Sequence, residues 1–138
     1  MPRVARDLLP ADPLTVAAAT PVLDVQHLLV LAQVGAMPVV EEDGKVIGVV
    51  TAADVMRTLD QVLDADLDDG EHDDVLAPLR AITARDIAHE DTLWVEPDTA
   101  SVDIAARMRA AQVPHVLVGI DGALDGMLTA YDLLVDVA

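Results

Sequence analysis

The chain has 138 residues, enough for one domain with a buried core, and its net charge of −17 argues against binding nucleic acid through the phosphate backbone. It contains no cysteine, which excludes disulfides, thiolate catalysis and thiolate metal sites. We find no signal-like leader and no apolar run near the roughly 20 residues that span a bilayer, so we expect a soluble cytoplasmic protein with no nucleic-acid or membrane partner.

The first half of the chain predicts a strand, a helix and then a hairpin of two strands. Thr20 followed by Pro21 is a typical helix start, with Thr20 as the cap and Pro21 at the first helical position. Asp43-Gly44 between two apolar runs indicates a hairpin turn. The predicted elements are a strand over residues 14–16, a helix over residues 21–34, and strands over residues 38–40 and 46–50.

A short motif over residues 48–54 joins the last of these strands to a second helix. Thr51 is the predicted N-cap, and Asp54 three residues later can reach back to the amide of Thr51, as in a capping box with Asp in place of Glu. Such a cap contributes about 1 kcal/mol to helix stability. A hydroxyl, free amides and a carboxylate at a helix start also suit a ribose-phosphate group, so a ligand site is the alternative interpretation.

Residues 64–74 are the most acidic part of the chain and at first resemble a calcium-binding loop. The glycine of that segment comes one place late, and Val75 stands where an EF-hand requires a closing carboxylate. We therefore predict a loosely ordered acidic linker over residues 64–79, with weak Mg²⁺ binding as an alternative.

The second half of the chain repeats the first. Residues 5–34 align with residues 84–113 and, after a one-residue deletion, residues 43–54 align with residues 121–132. This agreement predicts a tandem duplication, with each copy running strand, helix, strand, strand, helix. The assigned segments are a first repeat over 1–63 and a second over 80–138, the latter with a strand at 93–95, a helix capped by Thr99, strands at 116–118 and 124–128, and a capping pair of Thr129 and Asp132.

This order of elements and motifs resembles the CBS domain family, and the duplication resembles a tandem CBS pair, or Bateman module. The resemblance implies an α/β fold in which two β-α-β-β-α repeats pack around a pseudo-twofold axis and leave two clefts between them. It also implies regulation without catalysis, through adenosine-containing ligands such as AMP, ADP, ATP or S-adenosylmethionine. The residues that carry it are 6–8, 37–40, 43–44 and 48–54 in the first copy, and 85–87, 113–116, 121–122 and 126–132 in the second.

The resemblance further implies roles for particular residues. Aspartate of the helix-start motif would hold the ribose hydroxyls, and threonine of the same motif would bind the ribose or phosphate. The strand after the first helix would line the base pocket, and a residue of the first strand would close the cleft. The implied ligand residues are Asp54, Asp132, Thr51, Thr129, Ala36, Met37, Pro38, His115, Val116, Thr15 and Trp94, with Arg57 as the best phosphate partner.

Several features of the sequence bear on the ligand. Lys and Arg number eight against 25 acidic residues, which favours S-adenosylmethionine or AMP over ATP without a metal. Asp125 and Gly119 depart from the first copy, and a carboxylate at Asp125 makes the second site doubtful for a polyphosphate. Trp94 can stack an adenine or serve only in packing.

The first helix carries more apolar residues than one buried face requires. Homodimerisation through this helix would cover the surplus, and the alternative is cover from the opposite repeat. Two functions follow: a stand-alone sensor that binds an adenosine-type ligand and signals to an unidentified regulated protein, or a ligand-free homodimeric scaffold in which the Thr and Asp pairs only cap helices. No Ser-His-Asp order, metal triad or Walker-type loop is present, so we do not expect an enzyme.

Overall fold

Two copies of one α/β unit make up the protein, and a computed structural model describes residues 3–10, 14–69, 77–90 and 92–137. Each copy begins with a short helix that the sequence did not predict. The first contains α1 (Ala5–Leu8), β1 (Val16–Ala17), α2 (Val22–Ala32), β2 (Ala36–Val40), β3 (Val46–Thr51) and α3 (Ala52–Asp69). The second contains a 3₁₀ turn (Ala77–Ala81), α4 (Ala84–Ile87), β4 (Trp94–Val95), α5 (Ser101–Ala111), β5 (His115–Ile120), β6 (Ala123–Thr129) and α6 (Ala130–Val137).

Each repeat forms a three-stranded sheet with the same topology. β1 pairs with β2 in parallel and β2 with β3 antiparallel, and β4, β5 and β6 repeat this order. Each antiparallel pair turns at a glycine with positive φ, Gly44 at 86° and Gly122 at 83°, as the Asp-Gly hairpin predicts. The predicted α/β class and the strand order of both repeats are confirmed.

The predicted N-caps of α2 and α5, Thr20 and Thr99, are wrong. Pro21 and Ala100 are the N-cap residues, and neither makes a side-chain cap bond. A carbonyl from elsewhere in the chain meets the first free amide of each helix: Ile82 O accepts from Val22 N at 2.8 Å, and Arg3 O accepts from Ser101 N at 2.9 Å. Because tertiary contacts satisfy these donors, a capping hydroxyl at Thr20 or Thr99 is not required.

The short helix that opens each repeat packs on the other repeat. The amide of Ala5 in α1 donates to Thr99 O at 2.9 Å, and the matching amide of Ala84 in α4 donates to Thr20 O at 2.8 Å. Both alanines are fully buried, Ala5 in the core of the second repeat and Ala84 in the core of the first. The repeats therefore exchange their first helices and are held together by reciprocal contacts.

A third apolar cluster lies between the two sheets. Ala36 and Val49 of the first repeat pack with Leu117 of the second, and partly buried Trp94 and Met127 lie against them. Burial of Val49 and of Leu117 contributes about 1.5–3 kcal/mol each. The seam between the repeats is thus closed by packing along part of its length.

Two regions, the apolar surface of α2 and the acidic segment after residue 63, need separate description. The described residues leave surplus apolar side chains of α2 uncovered, since Val30 is 63% exposed and Leu31 is 67% exposed. α3 continues to Asp69, so helix enters the segment assigned to the acidic linker; residues 70–76 of that segment lie outside the described residues. Within the described part of the chain, no helix is long and apolar enough to cross a membrane.

Candidate functional site

The motif that follows β3 and its copy after β6 both form capping boxes, as predicted. Asp54 Oδ2 accepts from the Thr51 amide at 2.9 Å, and the Asp54 amide donates to Thr51 Oγ1 at 3.2 Å. In the second repeat Asp132 Oδ2 accepts from the Thr129 amide at 2.8 Å, and the Asp132 amide donates to Thr129 Oγ1 at 3.4 Å. The strand end and the first helical turn thereby fix each carboxylate in position.

A cleft of about 940 Å³ opens on the seam between the repeats. Its lining includes the paired strand ends of both sheets, since Ala36 lies opposite Thr51 and His115 opposite Thr129. Asp132 also lines the cleft, whereas Asp54 does not. Five of the predicted ligand residues therefore meet at one site: Ala36, Thr51, His115, Thr129 and Asp132.

The described lining of this cleft is mostly apolar, and among those residues the one side chain charged at neutral pH is the acidic Asp132. Leu8, Leu14, Val34, Met127 and the prolines Pro10 and Pro114 supply the apolar walls, and no Lys or Arg is among the described lining residues. Sequence reasoning did not select Pro10, Gln33, Met127 or Tyr131, although Tyr131 directly precedes Asp132 in the repeated motif. An apolar cleft with a few polar groups is typical of sites for small organic ligands.

The two motif aspartates differ in their free hydrogen-bonding capacity. Asp132 is half-buried, and in the described part of the chain its hydrogen bonds are to Thr129 and all involve Oδ2 or its own amide, which leaves Oδ1 available. Asp54 is 3% exposed, and both of its oxygens are engaged. The partners of Asp54 are the amide and hydroxyl of Thr51, His89 Nε2 at 2.6 Å and Arg57 Nη1 at 3.4 Å.

His115 lies at the start of β5, where the open cleft approaches the Asp54 side of the seam. Burial lowers the pKa of its imidazole below the ordinary value of 6.5, and nearby His89 lowers it further, while Asp54 partly offsets both effects. His115 is therefore neutral near pH 7 and offers one ring nitrogen as a donor and the other as an acceptor.

The remaining predicted ligand residues do not line the cleft. Met37, Pro38 and Val116 are buried in β2 and β5, and Thr15 is exposed just before β1. Arg57 is 63% exposed on α3, where it pairs with Asp54.

Trp94 and the two departures of the second copy are explained by packing. Trp94 lies over Gly119, where a Cβ atom would stand 2.9 Å from its ring, and it borders smaller hollows away from the cleft. The same Cβ atom would also collide with the backbone oxygen of Ala123, so glycine at 119 makes room for both the neighbouring strand and the indole. Asp125 is exposed and is not among the residues that line the cleft, so its carboxylate does not oppose a ligand there.

Comparison with known proteins places these features in a family. A model of the CBS domain matches residues 5–61 and 84–138. The fold is similar to the CBS domain of a CBS domain-containing membrane protein from Sphaerobacter thermophilus, with 24% identity, a TM-score of 0.76, and coverage of 95% of this chain and 85% of that one. No match is found among curated proteins.

Two further similar structures were solved with ligands. CBSX2 in complex with AMP is 24% identical, with a TM-score of 0.76 and coverage of 97% of this chain and 95% of that one. The CBS domain pair of MJ0100, in complex with 5′-methylthioadenosine and S-adenosylmethionine, is 19% identical, with a TM-score of 0.76 and coverage of 97% and 94%. Because the family model matches both repeats and covers most of the chain, the protein belongs to the CBS domain family and is a tandem pair of CBS domains.

Proposed function

We propose that the protein is a regulatory module that binds an adenosine-containing ligand in the cleft beside Asp132. The observation that carries the proposal is the free Oδ1 of a half-buried carboxylate, held by Thr129 at the edge of a 940 Å³ cleft that both repeats line. The complexes of MJ0100 and CBSX2 support an adenosine compound as the ligand.

The carboxylate of Asp132 is suited to a ribose. Two vicinal hydroxyls can donate to one carboxylate, and a hydrogen bond to a charged group contributes about 1.5–3 kcal/mol. Thr129 and Thr51 place hydroxyls on the same cleft, and the apolar walls suit the flat face of a purine. Loss of the Asp132 charge is expected to weaken binding about tenfold or more.

The charge of the cleft favours a ligand with little negative charge. Its described lining has a carboxylate and no cationic side chain, and the chain as a whole carries −17. A triphosphate would face this field without a counter-charge, since the predicted phosphate partner Arg57 lies outside the cleft. We expect S-adenosylmethionine or AMP to bind more tightly than ADP or ATP.

No resident metal site among the described residues would offset the negative charge of a polyphosphate ligand. Among the described residues, no group of three or more His, Asp or Glu side chains is placed to hold a metal ion. We propose signalling by ligand occupancy, without a catalytic step, to a regulated protein that recognises the shape of the pair.

The second candidate function is a ligand-free homodimeric scaffold, which the uncovered apolar face of α2 supports. Val30 and Leu31 are both more than half exposed on a helix whose other face is buried. Pairing of two chains through α2 would cover them. A dimer is compatible with ligand binding, so binding decides between the two functions.

Isothermal titration with S-adenosylmethionine, AMP, ADP and ATP tests the proposal. Asp132→Asn keeps an oxygen for the Thr129 cap and removes the charge, and it should lower affinity tenfold or more. Asp125→Asn is the matched control, because Asp125 is exposed on β6, the strand that leads into α6 and Asp132, and it does not line the cleft. Absence of binding by every compound, or equal loss in both variants, would favour the scaffold.

A further inference from the structure

The segment after α4 is attached to β3 at the motif that carries Asp54. His89 N donates to Val49 O at 2.9 Å, and Val49 N donates to His89 O at 2.9 Å. Gly48 permits this approach, because a Cβ atom there would lie 2.3 Å from His89 O. The backbone of His89 is therefore fixed against the strand that leads to Asp54.

This attachment places the imidazole on the Asp54 carboxylate. His89 Nε2 lies 2.6 Å from Asp54 Oδ2, the oxygen that also accepts from Thr51 Oγ1 at 2.7 Å. The other oxygen, Oδ1, faces Arg57 Nη1 at 3.4 Å. Because Asp54 is 3% exposed and His89 covers Oδ2, a pair of ligand hydroxyls can reach both oxygens of this carboxylate only by displacing the imidazole.

The position in the first repeat that matches His89 is Pro10, and proline there leaves the Asp132 carboxylate open to the cleft. The counterpart of Val49 is Met127, and a proline has no N–H with which to pair with it. Pro10 and Met127 both line the cleft instead of bonding to each other, and Pro10 has no polar side chain to offer Asp132. The two sides of the seam therefore differ because of one pair of residues, Pro10 and His89.

We infer that His89 is an internal occupant of the Asp54 site, so that the chain binds one ligand at Asp132 and not two. This inference rests on the proposed function for the identity of the ligand. The groups around Asp54 are cationic or hydrogen-bond donors: His89, Arg57 and Thr51 contact it. Because His89 is held by its own backbone, it competes with a free ligand as an intramolecular group at high effective concentration.

Stoichiometry measured by isothermal titration with S-adenosylmethionine tests the inference. The wild type should bind one equivalent per chain, and His89→Ala should bind two. The double variant His89→Ala/Asp54→Asn should again bind one equivalent. The control variant His27→Ala, at an exposed position of α2, should also bind one equivalent. Two equivalents in the wild type, or one in a folded His89→Ala, would overturn the inference; His89→Ser serves if His89→Ala does not fold.

A measurement without ligand separates this inference from the proposed function. Urea midpoints of the wild type, His89→Ala, Asp54→Asn and the double variant form a double-mutant cycle. If His89 occupies Asp54, the shift of the double variant should be clearly smaller than the sum of the single shifts. Additive shifts would overturn the inference even if S-adenosylmethionine binds. A non-additive cycle with no binding by any variant would reject the nucleoside ligand and keep the internal pairing.

Discussion

Replacing Gly48 by alanine should destabilise the protein far more than the same change at Gly126, its counterpart in the second repeat. At Gly48 the new Cβ atom would meet the backbone oxygen of His89 at 2.3 Å. At Gly126 it would meet Leu9 Cδ2 at 2.8 Å, the end of a side chain that can rotate away. The two substitutions are chemically identical, but Gly48 also has a φ of 159°, which side-chain-bearing residues rarely adopt, so the difference between them reports the contact at His89 together with backbone strain at residue 48.

The size of the effect follows from the bonds that must break. Relief of the 2.3 Å contact requires a separation of about 1 Å, which takes the two hydrogen bonds between Val49 and His89 beyond hydrogen-bond range. Each bond contributes about 0.5–1.5 kcal/mol, and overpacking costs about 1–3 kcal/mol, so Gly48→Ala should cost about 2–6 kcal/mol. Gly126→Ala should cost less than about 1.5 kcal/mol, the price of one shifted rotamer.

Urea unfolding followed by circular dichroism measures both changes in the free energy of unfolding. Gly48→Ala should also release His89 from Asp54, because it displaces the backbone that carries the imidazole. The reasoning is refuted if the free energy of unfolding of Gly48→Ala lies within about 0.5 kcal/mol of the wild-type value, or if Gly48→Ala is more stable than Gly126→Ala.

Three further predictions concern pH, assembly and the surface. The pKa of His115 is lowered by burial and by His89, so below about pH 6.5 the unfolded chain binds more protons than the folded chain. The contribution of His115 to stability should therefore be complete above that pH and fall as pH drops. Thermal melts of His115→Gln should show a shallower fall with decreasing pH, and a profile the same as that of the wild type would contradict a lowered pKa for His115. Leu31→Asp should convert a dimer into monomer in sedimentation velocity, and a wild type that is already monomeric would exclude pairing through α2. Arg85 and Glu41 form an exposed two-pronged ion pair between the repeats, so Arg85→Ala should cost no more than about 1 kcal/mol in urea unfolding, and a larger loss would show that this pair holds the repeats together.

The local structure of each repeat could be predicted from the sequence because short-range rules determine it. Apolar runs on either side of Asp-Gly predicted the hairpins, and the spacing of Thr51 and Asp54 predicted the capping box. The helix starts at Thr20 and Thr99 were predicted wrongly because the competing partners lie in the other repeat. Main-chain contacts between residues far apart in sequence leave no local signal.

The same lack of a local signal explains why the sequence did not show which of the two motif aspartates lies on the cleft. The sequence predicted a ribose-binding role for both Asp54 and Asp132, since their motifs are nearly the same, and it made only the second site doubtful for a polyphosphate. Only the fold shows that His89 reaches Asp54 while Pro10 leaves Asp132 open. The missing N–H of a proline is visible in a sequence, but its consequence depends on which strand lies beside it.

The most direct test of the account is an amide ¹H–¹⁵N titration of the full chain with S-adenosylmethionine. We expect saturable shifts at Thr129, Tyr131, Asp132 and His115, with the amides of Asp54 and His89 little changed. Shifts centred on Asp54 and His89, or no saturable shift at any of these positions, would contradict it.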